Sequence, residues 1–204
     1  ETTMVKSMTE GKPIKLILQF AFPLLLGNLV QQTYNMADAE IVGKKLGTNA
    51  LAAVGASTSV QFLVLGFVIG TCAGFGIPIA QAFGAGDHSR MRKYIFHSAL
   101  WTGIIGLLLT SITALLTGNI LHLMQTPEDI YRDAYLYLLV IFLGIPFSLL
   151  YNLTSSMLRA VGDSKTPFVI LAISAFLNIF LDLFCIVVLR WGCLGAAIAT
   201  ISSQ

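Results

Sequence analysis

Charge is scarce in this chain. Of 204 residues, 12 are Lys or Arg and 10 are Asp or Glu, together 11%, against 56% hydrophobic. With a mean hydropathy of +0.81 and charges confined to short clusters between long apolar runs, a soluble globular class is excluded. Cysteine is scarce as well. Cys72, Cys185 and Cys193 share no CxxC spacing, which argues against a disulfide framework or a zinc site. Signatures of GxSxG, HExxH or phosphate-loop type are missing, and the near-match GFGIPIA lies in an apolar run with no strand before it, so a conventional enzyme is disfavoured. His88, His97 and His122 stand at no metal-ligand spacing and read as surface or interfacial groups. A net charge of +2 is too small to point to nucleic acid.

What is there is a series of apolar runs, predicting an all-α, polytopic membrane bundle that needs no cofactor and has the lipid bilayer as its solvent. Six spans are expected, at roughly 14–38, 48–83, 95–117, 131–157, 167–189 and 193–204. The short polar start, ETTMVKSMTEGKP, precedes a run too long for a signal peptide, so the first span is retained. Lys6, Lys12, Lys15, Arg90, Arg92, Lys93, Arg159 and Lys165 fall on one side, and Lys44, Lys45, Arg132 and Arg190 on the other. The richer side is cytoplasmic by the positive-inside rule, which places the N-terminus inside. The chain opens on Glu1 and stops at Gln204 within an apolar run, and it reads as a fragment.

Two inner loops, QAFGAGDHSRMRK and RAVGDSKTP, both end a helix at glycine and then offer Gly-Asp with basic residues. Either a duplication or the common chemistry of short hairpins accounts for this. In the second span Gly66, Gly70 and Gly74 recur every four residues, a smooth ridge for close helix packing. Pro23, Pro78 and Pro146 interrupt the first, second and fourth spans. Each removes a backbone hydrogen bond, leaving either a gating kink or a fixed bend.

The informative residues are carboxylates in apolar surroundings. Asp38 closes the first span and Asp182 lies inside the fifth. A lipid-facing aspartate costs about 3 kcal/mol or more, so one that persists faces a cavity, an ion or a substrate. Asn28, Gln31, Asn35 and Asp38 follow steps of three, four and three, and Ser174, Asn178 and Asp182 steps of four, so each set shares one helix face. Such amides and hydroxyls either join neighbouring helices or line a substrate cavity. Counting from the outer turns gives depth. Asp182 lies nine residues before Trp191 and Thr200 nine after, ~13 Å in at 1.5 Å per residue. Asp38, six before Lys44, and Tyr137, about six into its span, lie ~9 Å in, and Asn178 one turn below Asp182. Five oxygen-bearing side chains from four spans therefore converge on one layer. Asp38 as a solvated helix-end residue and Tyr137 as an interfacial aromatic are the alternatives. Carboxyl, amide and hydroxyl oxygens suit a proton or sodium ion. Carboxyls withdrawn from water bind a proton more readily, so coupling to H⁺ or Na⁺ is expected at this layer.

The segments MTEGKPIKLILQFAFPLLLGNLVQQTYNMADAEIVGKKLGTNALAAVGAS, IPIAQAFGAGD, SSMLRAVGDSKTPF and NIFLDLFCIVVLRWGCLGAAIAT, in this order, resemble the N-terminal half of multidrug and toxic compound extrusion (MATE) transporters. The Asn-x-x-x-Asp of the fifth span and the start of the sixth look like the branch related to the DNA-damage-inducible protein F. The resemblance implies the first lobe, with a truncated sixth helix, of a twelve-helix antiporter in the bacterial inner membrane. Such a transporter exports cationic or amphipathic small molecules against protons or sodium ions. It further implies a cation site, a Na⁺ site if sodium is the ion, at Asp38, Asn178, Asp182 and Thr200, with Tyr137 linked to it. The C-terminal lobe, the partner that alternating access requires, is missing from the chain. A flippase for a lipid-linked precursor is disfavoured because the spans hold no cations for phosphate. A membrane scaffold, or an intramembrane enzyme for which only the aspartate pair could serve, is the alternative from a different class.

Overall fold

A computed structural model describes residues 13–203; the polar segment 1–12, with Lys6 and Lys12, and Gln204 lie outside the described residues. Among the described residues seven α-helices run in sequence: α1 Pro13–Leu46, α2 Thr48–Gly84, α3 His88–Leu123, α4 Glu128–Leu143, α5 Ile145–Ala160, α6 Lys165–Leu183 and α7 Gly192–Ser203. A π-helical turn, Phe184–Val188, extends α6. Among the described residues no strand occurs. Four of these elements are long and apolar enough to cross a membrane, and α4 with α5 makes a fifth, bent by 44°. The chain therefore folds as a multi-pass helical bundle.

Helix lengths depart from the apolar runs for a physical reason. α1 continues to Leu46, past the expected end near residue 38, because its last turns carry Glu40 and Lys44 four residues apart, and these two form an ion pair along the helix. α3 likewise starts at His88 and ends at Leu123, outside 95–117. Hydropathy marks the bilayer, whereas helix ends are set by caps.

The fourth span breaks at Gly144. Pro146, at the start of α5, has no N–H to give to the α4 ladder, and α7 fills the notch, where a Cβ on Gly144 would lie 2.5 Å from Ile201 Cγ1. Pro146 thus sits at a bend, whereas Pro23 and Pro78 lie inside the uninterrupted α1 and α2. The glycine ridge behaves differently from expectation as well. Nothing lies within 4 Å of where a Cβ on Gly66, Gly70 or Gly74 would stand. The close approach of α2 to α5 instead uses Gly76, whose Cβ would meet the Ser156 carbonyl oxygen at 3.4 Å, and Cys72, whose thiol lies 3.8 Å from the Leu149 carbonyl.

Two apolar clusters hold the bundle. One joins Val64, Val68 and Cys72 of α2 to Leu121 of α3, Leu138 and Phe142 of α4 and Leu149 of α5. The other sits nearer the turns at Gly47 and Trp191 and joins Val42, Ala50, Tyr137, Ile186, Cys193 and Ala196. The loops at the opposite end are built alike. Gly86 (φ 72°) and Gly162 (φ 87°) take the left-handed conformation, Gly86 N–H donates to Phe83 O and Gly162 N–H to Arg159 O, and the following Asp87 and Asp163 amides donate to Ala82 O and Leu158 O. Both are the same helix-ending motif, the second hydrogen bond reaching back five residues.

Candidate functional site

The site is assembled by four elements at equal depth. With the first turn at Gly47, Asp38 lies nine residues below it, and Tyr137 lies nine residues past Glu128, where α4 begins. Asp182 and Thr200 stand nine residues to either side of Trp191. The shallower depth expected for Asp38 and Tyr137 is therefore corrected: all four lie ~13 Å below the turns at this end.

α1 packs against α6, and this contact brings the two aspartates together. The carboxyls of Asp38 and Asp182 are within hydrogen-bonding reach of each other. Asp182 is fully buried and Asn178, one turn deeper on the same face, is 2% exposed. Among the described residues, Asp38 Oδ1, both Asp182 carboxyl oxygens and both Asn178 side-chain polar atoms have no hydrogen-bond partner. Buried polar atoms are nearly always paired, so four oxygens and one amide nitrogen left open in one place form an arrangement that can take something small that binds oxygen. Two carboxylates have no proton to donate to each other and repel. A proton or a monovalent cation between them removes the repulsion and satisfies the free lone pairs.

Tyr137, 4% exposed, lies within hydrogen-bonding reach of the Gln61 side chain and within electrostatic range of both aspartates. Thr200 is half-buried on α7, and its hydroxyl donates to its own helix at Ala196 O (2.9 Å) rather than to a carboxylate. The structure thus gathers Asp38, Asp182 and Tyr137, sets Asn178 directly beneath, and holds Thr200 level with them on the neighbouring helix. The π turn follows Asp182 at once, and Leu189 N–H reaches back five residues to Phe184 O at 3.0 Å. Such turns are commonly found where a helix carries function.

Asn28, Gln31 and Asn35 do not join this cluster. They stand on the exposed face of α1, with Asn35 donating to Gln32 Oε1 at 3.2 Å, while Ser174 is half-buried on α6. Amides exposed in the middle of a span fit a water-filled cavity and not lipid. Tyr34 links the two regions, since its hydroxyl is within reach of Gln31 and within electrostatic range of Asp38, Asp182 and Tyr151. Sequence reading passed over Gln61 and Tyr34. Gln61 follows the polar Ser57, Thr58 and Ser59 in α2, and nothing in its spacing sets it apart. The three histidines are exposed beside aromatic rings, His122 with its ring centroid 5.3 Å from that of Tyr131.

The MatE family model matches residues 23–184. The chain is 36% identical over 198 residues to the probable multidrug resistance protein YpnP of Bacillus subtilis, covering 96% of this chain and 44% of that protein. It is 32% identical over 194 residues to the probable multidrug resistance protein NorM of Thermotoga maritima, covering 93% and 42% respectively. A solved structure of a MOP superfamily transporter from Pyrococcus furiosus superposes with a TM-score of 0.92 at 29% identity, over 100% of this chain and 45% of that one. The chain spans less than half the length of these relatives.

Proposed function

Since the chain belongs to the MATE family, we propose that it forms the ion-binding lobe of a cation-coupled exporter of cationic or amphipathic compounds. The observation that carries this reading is the facing carboxyl pair, Asp38 and Asp182, with its unpartnered buried oxygens. The pair holds the coupling proton or sodium ion, Asn178 supplies an amide oxygen from below, and Tyr137, steadied by Gln61, closes the side. Thr200 adds its hydroxyl when it turns away from Ala196. The amides of α1, Asn28, Gln31 and Asn35, with Ser174, face the compound being exported. The bend at Pro146, with Pro23 and Pro78, supplies points at which helices tilt when the ion binds, because an ion shifts a conformational equilibrium only through different affinities for the two states. A second lobe completes the transport path. Read with the distribution of basic residues, the N-terminus is cytoplasmic, the membrane is the bacterial inner membrane, and the ion arrives at the Trp191 end.

The test is efflux of a cationic dye from vesicles carrying the full-length protein, under an imposed proton or sodium gradient. Wild type expels dye in response to one of the two gradients, and Asp182→Asn inserts normally but loses the gradient-driven component. Undiminished efflux by Asp182→Asn ends the coupling role.

A further inference from the structure

A cavity of about 280 Å³ opens at the Trp191 end, and none of the exposed amides Asn28, Gln31 and Asn35 of α1 lines it. Its walls come from the ends of four elements: Leu46 of α1, Asn49 and Ala50 of α2, Asp133 of α4, and Trp191 and Cys193 at the start of α7. Asp133 and Asn49 are exposed polar groups at its rim. The basic residues of this end, Lys44, Lys45, Arg132 and Arg190, are not among the residues that line it, and Lys44 is held by Glu40. Its one charged wall is therefore negative.

The cavity lies on the outer side of the carboxyl pair: Ala50 and Cys193 stand three and two residues past the turns at Gly47 and Trp191, ~3–5 Å in, against ~13 Å for the pair. Cys193, 4% exposed, is within electrostatic range of Asp133 on one side and Asp38 on the other, and its thiol rests 3.8 Å from the Ala50 carbonyl. Cys193 also lies within electrostatic range of Tyr137, which in turn sees both Asp38 and Asp182. Between cavity and site pack the small side chains Ala50, Cys193, Ala196 and Ala197 together with Val42, Tyr137 and Ile186.

We propose that this cavity is the vestibule through which the coupling cation reaches Asp38 and Asp182, separate from the α1 face that meets the exported compound. The proposal rests on the cation-coupling reading above. Asp133 concentrates a monovalent cation at the mouth, as a single-sign cleft with low-dielectric walls does. Cys193 and Ala50 form the gate. Because ion and compound arrive by different routes, the ion can bind while compound still occupies its own cavity, and the two exchange without queuing for one opening.

The experiment uses the full-length protein with cysteine introduced at the rim, Asn49→Cys, and at an exposed neighbour outside the cavity, Lys45→Cys. The native cysteines are at most 5% exposed, so a bulky, neutral, membrane-impermeant maleimide reports on the introduced thiol after folding is complete. Labelling Asn49→Cys is expected to raise the ion concentration for half-maximal efflux about tenfold, while labelling Lys45→Cys leaves it unchanged. Asp133→Asn is expected to raise it about threefold at low ionic strength, an effect that added salt erases and Asp133→Glu restores. A sodium gradient at fixed pH and a pH gradient without sodium, applied to the same labelled protein, identify which cation uses the route. If Asp182→Asn abolishes coupling yet labelled Asn49→Cys keeps wild-type ion dependence, the ion takes another path and the vestibule is wrong. If Asp182→Asn transports normally, the coupling reading itself fails and the cavity serves no site.

Discussion

Two pairs of aspartates, one in the loops at one end and one buried toward the other, show what one residue type does in two settings. At the Gly86 and Gly162 end, Asp87 and Asp163 spend their oxygens on helix starts. Asp87 accepts from the Arg90 amide at 2.9 Å, and Asp163 accepts from the Lys165 and Thr166 amides at 3.1 and 3.0 Å and from the Thr166 hydroxyl at 2.6 Å. At the Trp191 end, Asp38 and Asp182 face each other with oxygens left open. The capped pair lies outside the apolar part of the bundle and the open pair inside it. Leaving buried carboxyls open while these loop carboxyls are hydrogen-bonded is the reverse of what stability alone favours, and that is the ground for the proposal that the open pair awaits a ligand.

The comparison breaks most sharply if the open pair proves structural. Replacing Asp182 by Leu removes a buried, unpartnered carboxyl, so thermal stability of the full-length protein in detergent should hold or rise by about 1–2 kcal/mol while ion-driven efflux disappears. Unfolding or aggregation on this change would place Asp182 with the capped residues. Asn178 comes next. Asn178→Ala takes one neutral oxygen ligand from the site and should weaken ion affinity roughly tenfold, or about 1.4 kcal/mol, with maximal efflux retained at saturating ion. Ion titration of transport reads this directly.

How much of this arrangement could be read from residues alone depends on which interaction fixed it. The stripes were legible because helical periodicity is local: steps of three and four place Asp38 and Asp182 at the ends of polar faces whatever surrounds them. Their common depth was legible in outline, and the counts for Asp38 and Tyr137 fell short because they start from Lys44 and from about residue 131, whereas α1 runs on to Leu46 and α4 begins at Glu128. Gln61 and Tyr34 were not legible as site residues. What places them is the packing of α2 and α1 around Tyr137 and the carboxyl pair, and no spacing within either helix encodes a neighbour. The same holds for the glycines. Gly66, Gly70 and Gly74 make the more regular pattern, yet the helix contact falls on Gly76 because α5 crosses there. The bend of the fourth span lies between these extremes. Pro146 announces it, while the packing of Ile201 into Gly144 is tertiary.

The smallest expected effects belong to the capped pair, and they complete the contrast. Burial by itself pushes the Asp163 carboxyl up, but the Thr166 hydroxyl and amide, the Lys165 amide and the Lys165 charge together hold it below the usual carboxylate range. A depressed group stabilises the fold above its unfolded-state value and loses that contribution as pH falls through its folded one, so Asp163 should matter at neutral pH and cease to matter well below about pH 4. Asp163→Ala should cost about 1–2 kcal/mol at pH 7, and the gap from wild type should close on acidification. Asp87→Ala, which loses one amide contact and an ion pair stretched to 4.0 Å between exposed side chains, should cost no more than about 1 kcal/mol. Both variants should keep the wild-type ion dependence of efflux. An altered ion dependence in either would mean that the loops at this end take part in coupling, and the division between aspartates that hold the fold and aspartates that hold the ion would have to be redrawn.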